Sequence, residues 1–102
     1  MRIDMFLKTI GMFKSRQAAK QACDEGLVML NGIKAKPSKE IKPGDVIVLN
    51  LKFRKKVIKV LSIPPKNLSR KDRDKYFQLL EDVELKPQDE PGFWELLEGE
   101  EV

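Results

Sequence analysis

The chain has no histidine and a single cysteine, Cys23. One thiol cannot close an intramolecular disulfide, and without imidazoles a zinc site lacks most of its usual ligands. No apolar run approaches the ~20 residues that cross a bilayer. The opening stretch MRIDMFLKTIG carries an acid at position 4 and no apolar h-region, so it does not read as a signal peptide. Nor is there a nucleophile beside a base, or a glycine loop that would cradle phosphate. We therefore expect a cytoplasmic, non-enzymatic protein with no catalytic residue, no metal and no cofactor. Internal repeats are absent as well.

What the sequence has in quantity is charge, unevenly placed. Residues 1–75 hold 19 of the 20 Lys+Arg and 7 of the 16 Asp+Glu, a balance of +12. Residues 76–102 hold one lysine and nine acids, a balance of −8. A basic body followed by an acidic tail points to a polyanionic partner for the body. Solubility alone asks for less charge than this.

Local patterns give the elements. Ile3, Phe6, Leu7 and Ile10 recur at helical spacing, with Asp4 in the first turn and Gly11 as a stop. Ser15 reads as the N-cap of a second helix, with Ala18, Ala19 and Ala22 as its flat apolar face and Gly26 just past its end. Asn31-Gly32 between two short β-like runs is a hairpin signal. Lys42-Pro43-Gly44-Asp45 is a second turn. Residues 46–51 and 57–62 read as strands around the basic segment Lys52–Lys56. From Ser69 a third helix is expected through Val83, with Asp72 in the capping-box position and Tyr76, Phe77, Leu80 and Val83 as its stripe. The expected organisation is a domain over 1–62, a linker and C-terminal helix over 63–85, and an acidic, weakly ordered tail over 86–102 that contains Phe93-Trp94.

The segment KSRQAAK, Lys14 to Lys20, is the informative one. A helix start favours anions, yet here it carries cations. At about 100° per residue, Arg16 and Lys20 share a side away from the alanine face. Such cations are best explained by something negative outside the protein. Backbone N–H groups at that helix mouth can also hold a phosphate.

These residues form an ordered set: Arg2-x-Asp4-x-Phe6-Leu7-Lys8, Ser15-Arg16-x-x-Ala19-x-x-Ala22, Gly26-x-Val28-x-x-Asn31-Gly32, Ala35-x-Pro37-Ser38 and Pro43-Gly44-Asp45-x-Ile47. The set resembles the S-four RNA-binding domain, or αL motif, over residues 1–51 with continuation to about residue 62. The resemblance implies an α+β fold of two helices packed on a small, mainly antiparallel sheet, here followed by the C-terminal helix and acidic tail. Many members carry a catalytic domain, for which 102 residues leave no room. This chain is more similar to the stand-alone group of heat shock protein 15 and the small ribosome quality-control factors. That implies partners in rRNA and in peptidyl-tRNA on the large ribosomal subunit after a stalled ribosome has split. It also implies a possible partner protein that synthesises C-terminal tails. We expect a monomer and no membrane.

Carried over by position, the RNA-facing residues are Arg2, Asp4, Lys8, Lys14, Ser15, Arg16, Lys20, Lys34 and Lys36. Asp4 is the odd one, because a carboxylate repels phosphate; it either pairs with Arg16 or Arg2 and fixes the guanidinium, or merely complements the helix dipole. For Lys8 and Lys20 the plain alternative is a solvated face. Asn31-Gly32 is read as structural, and Cys23 as a half-buried small hydrophobe. Arg54-Lys55-Lys56 is either an extra basic loop that touches rRNA or an exposed hairpin tip. The alternatives for function are a general structured-RNA binder or ribosome assembly factor, a helix-turn-helix DNA regulator, and a protein-interaction module with an autoinhibitory tail. The alanine-filled second helix leaves few groups to read base edges, which weighs against DNA.

Overall fold

The computed structural model describes residues 1–85; the expected acidic tail, with Phe93-Trp94, lies outside the described residues. Helix α1 spans Ile3–Thr9, and its stripe of Ile3, Phe6, Leu7 and Ile10 is buried. Gly11 ends it at φ +86°, a left-handed conformation that costs glycine little. Helix α2 spans Arg16–Asp24. The Ser15 hydroxyl accepts the Ala18 N–H at 3.1 Å, the N-cap contact its position predicts. Ala19 and Ala22 are buried and Ala18 half-buried, so the small-residue face lets α2 pack closely.

Five strands follow: β1 (Val28–Leu30), β2 (Ile33–Lys34), β3 (Val46–Leu51), β4 (Arg54–Val60) and β5 (Phe77–Glu84). They form one sheet in the order β2-β1-β3-β4-β5, with every neighbouring pair antiparallel. Register pairs Val28 with Leu49, Leu30 with Ile47 and Ile47 with Ile58. Paired residues share a sheet face, and these five are buried with Val60 against α1 and α2. The start of the chain is stitched to the same body. Ile3 N–H donates to the Lys39 carbonyl at 2.8 Å, and Ile41 N–H to the Met1 carbonyl at 3.0 Å.

The hairpin between β1 and β2 turns at Asn31 (φ 50°) and Gly32 (φ 85°), both positive as a tight two-residue turn requires. Asn31 does more than turn the chain. Its Oδ1 accepts the Val46 N–H at 2.9 Å, and its Nδ2 donates to Asp45 Oδ1 at 3.1 Å. Asp45 is buried and also accepts the Lys42 N–H at 2.9 Å. The two turns are thereby tied side chain to side chain.

The span expected as a C-terminal helix over 69–83 departs from that expectation. Helix is present only as a 3-10 segment, Arg70–Lys75, and the remainder is strand β5. Ser69 makes no cap bond to the backbone; its hydroxyl donates instead to Asp72 Oδ2 at 2.9 Å. Leu61 N–H then donates to the Tyr76 carbonyl at 2.9 Å, and Phe77 pairs with Val60. Two forces override the helical stripe. An unpaired edge of β4 would leave a row of N–H and C=O groups open. Moreover, the acids of β5 lie opposite the cations of β4: Lys56 pairs with Asp82, Arg54 with Glu84, and Arg54 Nε lies 3.2 Å from Asp82. A register irregularity at Val57/Ile58 sets this alignment.

Replacing Asp45 with Ala leaves the Asn31 amide and the Lys42 N–H without their acceptor. Urea unfolding is expected to show a loss of about 1–3 kcal/mol. A change below about 0.3 kcal/mol would mean that the two turns are held by their backbones alone.

Candidate nucleic-acid interface

The nine residues singled out from sequence do not form one surface. Arg2, Asp4, Arg16 and Lys20 line a single open cleft of about 700 Å³, together with Gln17, Gln21 and Asp24. Lys8 and Lys14 line a different cleft, beyond the turn that leaves α1. Lys34 and Lys36 sit past the C-terminal end of α2, where the Lys34 stem lies against Gly26. Ser15 stands between the first two groups and serves as the cap of α2.

Asp4 organises the first cleft. It is 1% exposed, yet it lies on the first turn of α1 among charged groups. Its Oδ1 accepts the Met5 N–H at 2.7 Å. Its Oδ2 takes two guanidiniums, Arg2 Nη2 at 3.1 Å and Arg16 Nε at 3.5 Å. The arginines keep about 41% and 45% of their side chains exposed. Both expected partners thus converge on one carboxylate oxygen, while close to half of each arginine side chain stays exposed. A guanidinium fork held in this way suits phosphate geometry better than a mobile point charge. Helix spacing puts Lys20 one turn beyond Arg16 on the same cleft.

Reading the sequence alone missed Gln17, Gln21 and Asp24 as cleft residues. Their helical offset from Arg16 and Lys20 was the available signal. It also misplaced the cluster Arg54-Lys55-Lys56, which is strand rather than loop. Arg54 meets Asp82, and Lys55 Nζ lies 4.0 Å from Glu81. Two of the three are thus ion-paired with acids of β5.

Nothing in the arrangement is set up for covalent chemistry. Cys23 is not half-buried as expected but fully inside the core. Burial, with the nearby charges of Asp4 and Asp24, pushes its thiol up to about 11. A thiol so placed is protonated and inert at neutral pH. Ellman's reagent at pH 8 is expected to react with Cys23 only after denaturant is added. Because the folded thiol titrates above the unfolded one, this contribution to stability is intact below about pH 9. It is lost as pH rises towards 11. Fast labelling of the native protein would contradict the core placement.

Against this geometry, comparison with known proteins is specific. The sequence model of the S4 domain matches residues 1–47. A Helicobacter pylori protein named RQC P-site tRNA stabilizing factor is 48% identical over 77 residues, which is 74% of this chain and 92% of that protein. The Bacillus subtilis protein of the same name is 38% identical over 72 residues, 71% of this chain and 81% of that one. Among solved structures, the trimeric Heat Shock Protein 15 of Vibrio cholerae superimposes with a TM-score of 0.71 at 26% identity, covering 78% of this chain and 80% of that one. Two helices on a small antiparallel sheet are therefore the S4 arrangement, and the chain belongs to the S4-domain family that includes the RQC P-site tRNA stabilizing factors.

Proposed function

We propose that the protein is a non-enzymatic RNA-binding factor of the large ribosomal subunit, where it contacts rRNA and the tRNA of a stalled, split ribosome. The observation that carries this is the Asp4 carboxylate holding the Arg2 and Arg16 guanidiniums at the rim of a basic cleft. The name of the relatives supplies the ribosomal P-site context. Such a role places the protein in the cytoplasm, in keeping with the lack, among the described residues, of any helix long and apolar enough to cross a membrane. In this reading Arg2, Arg16 and Lys20 contact phosphates, Ser15 presents the mouth of α2, and Asp4 positions the arginines without touching RNA. Lys34 and Lys36 extend the footprint past the other end of α2.

The test is a sucrose-gradient profile of the tagged protein in lysate of its own host, beside the Arg16→Ala form. Wild-type protein is expected with free large subunits and tRNA, and Arg16→Ala at the top of the gradient. With these five cations on phosphates, log K against log salt should fall with a slope of about −3.5 to −4.5. Wild-type protein that stays at the top even at low salt would sink the ribosomal assignment.

Asp4→Asn separates positioning from a plain dipole role. It keeps an acceptor for Met5 N–H but drops the charge that holds both arginines. As a positioning residue, Asp4 should cost about three- to tenfold in RNA affinity when changed, despite the removal of a negative charge. Were it only a helix-dipole residue, stability would fall by a few tenths of a kcal/mol, as α1 loses its N-terminal acid. RNA affinity would then stay level or rise.

A further inference from the structure

We infer that the segment Lys66–Arg73 builds a second phosphate-binding cleft against the end of α1, separate from the Arg16 cleft and outside the S4 match, and that it takes the phosphodiester backbone of the same RNA. The inference rests on the RNA-binding reading above and assigns it a further site. This cleft, of about 680 Å³, is lined by Lys8 and Lys14 from the helix side and by Lys66, Arg70 and Arg73 from the returning chain. No acid lines it. Among the described residues, none of these five cations has an ion-pair partner. Five like charges around one concavity repel each other and concentrate anions there.

Two unmet hydrogen-bond demands fall at the same place. Among the described residues, three buried side-chain N or O atoms have no partner: Arg2 Nε, Thr9 Oγ1 and Arg73 Nε. The first belongs to the Arg16 cleft. Thr9, 5% exposed, and Arg73 both line the second cleft. Both residues sit in the wall of this cleft, so polar groups back the five cations there.

Arg73 is also held where it can serve. Its guanidinium lies over Gly11, so close that a Cβ on residue 11 would meet Nη1 and come within 3.0 Å of Cζ. Gly11 thus has two duties, ending α1 at φ +86° and leaving room for the arginine. Across Ser15, Lys14 lines one cleft and Arg16 the other, so a single RNA backbone that passes the mouth of α2 meets both.

The test uses the full chain and a mixture of unfractionated tRNA and deproteinised ribosomal RNA, measured by filter binding from 50 to 300 mM KCl. Lys66 and Arg70 are exposed and unpaired among the described residues, so the double variant K66Q/R70Q leaves the fold intact. It should weaken binding on the order of tenfold and make the salt slope about 1.4–1.8 units shallower, two phosphate contacts' worth. The Arg73 Nε–H resonance should shift on adding RNA in wild type and in Arg16→Ala at low salt. An unchanged slope and affinity in K66Q/R70Q, with Arg16→Ala still impaired, overturns the second cleft and leaves the main reading standing. Wild-type protein that binds neither RNA overturns both.

Discussion

A single carboxylate oxygen holds together the charged cleft between the two helices. Asp4 is buried, and a buried charge is tolerated only when its partners and hydrogen bonds are in place. Here the partners come from both sides: Arg2 just before α1 and Arg16 at the start of α2. Oδ1 meanwhile is taken by Met5 N–H. The contact crosses from one helix to the other, so it fixes their relation as well as the guanidiniums. The stripe of α1 and the alanines of α2 must pack closely for this to occur, and both are buried. Core and cleft are therefore one construction, with the apolar side bringing the helices together and the charged side deciding what they present.

The remaining cations divide according to whether the fold supplies a counter-charge. Along β4, Arg54 and Lys55 meet Asp82 and Glu81 of β5, and Lys75 meets Asp72 at 2.9 Å. Cross-strand pairs of this kind are worth only about 0.2–1 kcal/mol each. Their larger effect is on field direction. Lys20 of α2, and Lys8, Lys14, Lys66, Arg70 and Arg73 around the second cleft, have no such counter-charge among the described residues. That is the difference between a protein that is merely basic and one with a basic face.

How much of this was legible depended on range. Both helices, the Ser15 cap, the stop at Gly11 and the Asn31-Gly32 turn are set by residues within a few positions of each other, and the sequence patterns located them. The pairing of Asp4 with Arg2 and Arg16 was foreseen as a choice between two partners; the structure has both. What depended on distant chain was not legible. Residues 76–83 carry a helical stripe that, judged alone, outweighs their strand character. Only β4, with its open edge and four cations, turns them into β5. Cys23 reads as half-buried from sequence because periodicity cannot see the sheet that completes the core around it. The link from Asn31 to Asp45 spans 14 residues and had no local signature.

The division of the nine expected site residues into separate groups follows from the same limit. Helical projection can say that Arg16 and Lys20 share a side, but it cannot say what faces Lys8 and Lys14. That is settled by the return of the chain after β4, which lays Arg73 across Gly11. Gly11 was readable as a helix stop, and any residue tolerant of positive φ would satisfy that duty. Asparagine, the usual second choice, would make the Arg73 guanidinium swing aside. Gly11 thus leaves room across the turn for an arginine 62 positions later.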